Sequence, residues 1–154
     1  MHFGDDRPAC ITNYYIHFTL QRAWFSSIVD EYGNRREVDI AEWAMPMQKI
    51  YGRLQMTPKQ IAEFCQKWHI AELAAFGSIL REDFRQSERD VDFLFCDRPN
   101  TNMSLLRRVR MKVELEEPCA RPADLVMFSE VMASHTQNRR KNVLGSATLI
   151  YVEG

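Results

Sequence analysis

The sequence predicts an α/β (α+β) protein, a small sheet with aspartates on one face and helices packed on the other. Three observations point there. From residue 57 onward, apolar residues at helical spacing alternate with short apolar runs bounded by Gly, Pro and Asp. Two of those runs enclose acids, Asp90 and Asp92 in RDVDFLFCD and Asp124 in PADLVMF. At 154 residues with 45% hydrophobic content, the chain has enough apolar material for one ordinary core and little more.

In chain order, the first 55 residues are the least patterned. YYIHFTL (14–20) reads as a strand and DIAEWAMPMQKIYGRL (39–54) as weakly helical, with Pro46 interrupting it. The reading is therefore an N-terminal extension over 1–55 and a functional domain over 56–154. TPKQIAEFCQKWHI then opens with Thr57 as N-cap, Pro58 in the first turn and Gln60 three residues after the cap, a capping box. Ile61, Phe64, Cys65 and Trp68 continue it at helical spacing. IAELAAF (70–76) is a buried strand ending at Gly77-Ser78, and ILREDF (79–84) reads as the first turn or two of a helix. RDVDFLFCD is the second strand. In NMSLLRRVRMKVELEE (102–117), Leu105, Leu106, Val109, Val113 and Leu115 mark an apolar stripe, with Arg107, Arg108, Arg110 and Lys112 on the solvated side. PADLVMFS is the third strand, SEVMASHTQNRRKNVL (129–144) a closing helix, and ATLIYVE an apolar stretch able to add a strand.

Charge and cysteine usage exclude several function classes. Twenty Lys and Arg against 21 Asp and Glu leave a net charge of -1, so bulk electrostatics offers no grip on nucleic acid or an anionic membrane. No direct nucleic-acid binding is expected. Cys10, Cys65, Cys96 and Cys119 form no C-x-x-C pair and read as reduced thiols of a cytoplasmic protein. No run is long enough to span a membrane, and the first residues lack the order of a secretory signal. His17, His69 and His135 have no Cys or His partner at ligand spacing and read as packing or surface residues.

The acids carry the chemistry. An ionised carboxylate in an apolar layer is costly, so two of them on one strand face imply a positive group to hold. Asp90 and Asp92 are two apart on a strand and leave the same face. Their oxygens suit magnesium, which keeps waters and substrate phosphates as its other ligands. At the strand-to-helix turn, Gly77 lets a phosphate approach the backbone, while the Ser78 hydroxyl and the free N–H groups of the turn can bind it. Asp124, on a neighbouring strand, could complete the metal cluster or take a proton from an attacking hydroxyl. Gly-Ser, D-x-D and a third embedded Asp are each weak signals, but in this order they are specific.

With LAAFGSILREDFRQSERDVDFLF, LLRRVRMKVELEE and RPADLVMFSE, residues 56–154 resemble the minimal nucleotidyltransferases of the polymerase-beta-like superfamily. The likeness is strongest to short antitoxin members that pair with a helical HEPN ribonuclease toxin. It implies a mixed sheet, with Gly77 and Ser78 holding the triphosphate of ATP and Arg81 steadying the loop. It also implies Asp90 and Asp92 as ligands of magnesium, two ions in all, and Asp124 as the third carboxylate. The activity implied is transfer of AMP to a protein hydroxyl, a tyrosine of the toxin. Two departures stand out: eleven residues (79–89) separate Gly-Ser from D-x-D where ten are usual, and Arg89 precedes the first Asp. A misplacement of an ångström matters to catalysis. The alternatives are thus an impaired antitoxin that neutralises by binding alone, or a transferase acting on a small molecule.

Overall fold

The computed structural model describes residues 27–29, 35–37, 47–85 and 90–153. YYIHFTL, Cys10 and His17 lie outside the described residues, as do residues 39–46 of the weakly helical segment. The elements are β1 (Ser27–Val29), β2 (Arg35–Glu37), α1 (Met47–Leu54), α2 (Pro58–Lys67), β3 (Ile70–Phe76), a 3-10 turn (Gly77–Leu80) and β4 (Val91–Asp97). They continue with α3 (Leu105–Cys119), β5 (Ala123–Met127), α4 (Phe128–Ala133), α5 (Gln137–Ser146) and β6 (Thr148–Val152). β1 and β2 pair antiparallel as a separate two-stranded sheet.

The main sheet has the order β5-β4-β3-β6 and is mixed: β4 and β5 run parallel, while β3 is antiparallel to both β4 and β6. Alternation along the strands divides the core in two. Leu73, Ala75, Val91, Phe93, Phe95 and Leu125 face α1, α2 and α3. Ala74, Leu94, Cys96 and Val126 face α4 and α5. The second face is the one that carries Asp92 and Asp124.

Local signals set the ends of α2 and β3. The Thr57 hydroxyl accepts from the Gln60 amide at 3.2 Å, and the Gln60 side chain accepts from the Thr57 amide at 2.9 Å, so the capping box closes in both directions. β3 spans IAELAAF, and the final apolar stretch supplies β6 on its free side.

Elsewhere the structure corrects the reading. The segment after Ser78 does not become an α-helix: the 3-10 turn stops at Arg81, whose backbone is extended. The closing helix is two helices, because Ser134 and Thr136 are extended and Arg140 donates to the carbonyls of Met132 (2.7 Å) and Ser134 (3.2 Å) across the break. In α3 the buried side is Met111, Leu115 and Cys119, while Leu105 and Val113 are 79% and 61% exposed. Arg107 and Arg108 face inward instead. Arg107 donates to Asp97 and to the Trp68 carbonyl, and Arg108 to the Leu125 carbonyl of β5. β5 is an edge strand, and its unpaired carbonyl needs a donor that no apolar side chain supplies. Ile50 and Leu54 of α1, which precede the expected boundary at Met56, are 0% exposed and pack in the first core.

Candidate active site

Register places the acids. Asp92 of β4 pairs with Asp124 of the parallel β5, and residues paired across a ladder project from the same face. Asp90 stands one residue before β4, and its carbonyl accepts the Ser78 hydroxyl at 3.4 Å. The Asp92 carboxyl is pushed up to about 6, first by burial and then by the charges of Asp124 and Asp90. Asp92 and Asp124 therefore share one end of the second sheet face, with the charge of Asp90 near enough to act on Asp92; Asp90 and Asp124 are exposed and Asp92 is half-buried.

Gly77 is built against that cluster. Its φ is +76°, and a Cβ placed on it would stand 2.7 Å from Oδ2 of Asp92. Only glycine combines that backbone with that proximity. The Gly77 amide donates to Oγ of Ser146 at 3.4 Å, and that hydroxyl donates to the Asn142 carbonyl at 3.0 Å, so the end of α5 anchors the turn. Ser146 is not legible in the sequence because its partner is 69 residues away. Arg81 joins the turn through its backbone, its amide donating to the Ser78 carbonyl at 3.1 Å, while its guanidinium engages Asp83 at 3.0 Å.

Arg108 borders the cluster. Beyond the Leu125 carbonyl it makes a two-pronged pair with Glu130 at 2.7 and 2.8 Å. Its basicity is raised first by that hydrogen bond, against the effect of burial, and also by the charges of Glu130 and Asp124. Two buried thiols are held protonated: burial pushes Cys65 up to about 12 and Cys119 to about 11, so neither is a nucleophile at neutral pH. A groove of about 770 Å³ between α1 and α2, lined by Met47, Tyr51, Met56 and Pro58, contributes neither carboxylate nor cation to this chemistry.

As the side chains stand, no three His, Cys, Asp or Glu among the described residues form a set able to hold a metal ion. What fits a hard cation is the donor chemistry: carboxylate oxygens only, mutually repelling, with the two flanking acids exposed. Among the described residues no helix is long and apolar enough to cross a membrane.

Residues 57–150 match the nucleotidyltransferase domain family. No curated protein matches the chain in sequence. Among solved structures, it is similar to a putative minimal nucleotidyltransferase at 22% identity, covering 68% of this chain and 95% of that one, with a TM-score of 0.47. It is also similar to a toxin–antitoxin with AMP-PNP, at 14% identity and a TM-score of 0.48, covering 64% of this chain and 75% of the other. A third is a tri-AMPylated Shewanella oneidensis HEPN toxin in complex with MNT antitoxin, at 14% identity and a TM-score of 0.45, covering 65% and 73%. On the family match, which spans more than half of its length and all three aspartates, the chain belongs to the nucleotidyltransferase domain family.

Proposed function

We propose that the chain transfers AMP from ATP to a protein hydroxyl, a tyrosine of a cognate HEPN toxin, and so acts as a cytoplasmic antitoxin. The observation that supports the nucleotidyl chemistry is the pairing of Asp92 with Asp124 and the closeness of Gly77 to Asp92, two carboxylates beside a glycine turn that could take a phosphate. The toxin partner rests on the resemblance of residues 56–154 to antitoxin members of the family.

In this reading the acceptor oxygen attacks the α-phosphorus, the bond from that phosphorus to the α–β bridging oxygen breaks, and pyrophosphate leaves with the electron pair. Ser78 exchanges its 3.4 Å bond to the Asp90 carbonyl for a phosphate oxygen. Asp90, Asp92 and Asp124 would hold magnesium, whose charge relieves their repulsion and that of the phosphates. Asp124, exposed on the edge strand, is open to an incoming hydroxyl and can accept its proton.

The test is labelling with ATP carrying the radiolabel at the α or the γ position, in the presence of the purified partner and magnesium. Transfer of α-label alone, abolished by Asp92→Ala, is the expected result. Transfer of γ-label, or equal labelling by Asp92→Ala, overturns the assignment. The longer segment 79–89 favours a second reading, neutralisation by binding alone, and a partner inhibited without any label decides for it.

A further inference from the structure

Arg53 lies outside the segment matched to the family and before the expected boundary at Met56, yet it reaches the phosphate turn. Its Nη1 donates to two carbonyls just after Ser78, those of Ile79 and Arg81, both at 2.6 Å. They stand where the 3-10 turn ends, the Arg81 carbonyl also accepting the Phe84 amide at 3.3 Å, and a cation that binds both helps fix where the turn stops. Arg53 is itself held. Its own carbonyl accepts from Nη2 of the buried Arg121, whose Nε donates to the Cys119 carbonyl at 3.4 Å. Both guanidiniums stand over the Phe84 ring, at 5.1 and 4.8 Å from its centre.

Arg121 comes three residues before Asp124 in the turn that leads into β5. The brace therefore connects the end of α1, the turn of Gly77 and Ser78, and the approach to Asp124. Among the described residues neither guanidinium forms an ion pair with a carboxylate. Holding cations on carbonyls alone is costly, and two loop carbonyls fixed by one planar guanidinium are the return.

We infer that Arg53 is a positioning residue for the phosphate-binding turn, setting Ser78 relative to Asp90 and Asp92. It touches no reacting atom, and its effect on nucleotide rests on the proposed transferase reading. Loss of these bonds should let the turn unwind while the sheet stays intact, because among the described residues the Arg53 side chain hydrogen-bonds to the turn and to no strand.

The experiment compares Arg53→Met, Arg53→Lys and Arg107→Met in the full chain. Arg107→Met removes a partly buried arginine that also donates to a backbone carbonyl, at the opposite end of the sheet, and serves as the comparator for general destabilisation. Hydrogen exchange of a peptide covering 77–84 is read without ligand, and affinity for ATP with magnesium is read by titration. Exchange in 77–84 should rise about ten-fold in Arg53→Met, less in Arg53→Lys, and not in Arg107→Met, with β3 unchanged in all three. ATP affinity should fall in the same order. Unchanged exchange at 77–84 in Arg53→Met, or an equal rise in Arg107→Met, overturns the inference. A loosened turn with no ATP binding by wild type leaves the brace standing and removes the nucleotide reading instead.

Discussion

Gly77 has no room for a β-carbon. Gly77→Ala would strain a backbone at φ +76° and drive Oδ2 of Asp92 off its place. The left-handed backbone alone costs about 1–2 kcal/mol in an L-residue. Gly52 in α1 is the opposite case, with nothing within 4 Å of the position a β-carbon would take, so Gly52→Ala should stabilise by about 0.5–1 kcal/mol through helix propensity. Paired urea titrations of the two variants check both signs. Asp92 makes a second prediction at this scale. With its native carboxyl at about 6 and the ordinary value at 3.8, the folded chain keeps a proton that the unfolded chain has lost between those values. Stability of the metal-free protein should therefore fall as pH rises through that window. Asp92→Asn should be more stable than wild type at pH 7, and the gap should close by pH 4. A gap independent of pH would mean that the Asp92 carboxylate is not the source.

Helix α3 shows how an amphipathic pattern can be read from the wrong side. It carries two apolar stripes, and the buried one, Met111, Leu115 and Cys119, is the one accompanied by arginines able to donate to Asp97 and to the β5 edge. Met111→Ala or Leu115→Ala should cost about 2–5 kcal/mol, while Val113→Gln should stay within about 0.5 kcal/mol. Thermal melts of the three variants decide it. Equal losses would restore Val113 to the core.

At the scale of the whole chain, α1 contributes Ile50 and Leu54 to the first core. A chain starting at Met56 lacks Ile50 and Leu54, each worth about 1.5–3 kcal/mol of burial, together with the Arg53 brace. Against a total stability of about 5–15 kcal/mol, that loss is large. Residues 47–154 should melt cooperatively, and residues 56–154 should aggregate or melt broadly. Matching melts of the two fragments would return the boundary to Met56.

What the sequence by itself determined is local or of short period: the Thr57–Gln60 box, the limits of β3, the D-x-D spacing and the acid embedded in β5. A cap involves four adjacent residues, and the two-residue repeat of a strand states which side chains share a face, so these features need no partner to be read. The tertiary structure decided which stripe of α3 is buried, where the closing helix breaks, and that Ser146 and Arg53 grip the turn. Each of those depends on a carbonyl or amide left unpaired by one element and satisfied by a side chain that local spacing does not single out. Backbone groups must find partners wherever the fold places them, and no local pattern names the donor.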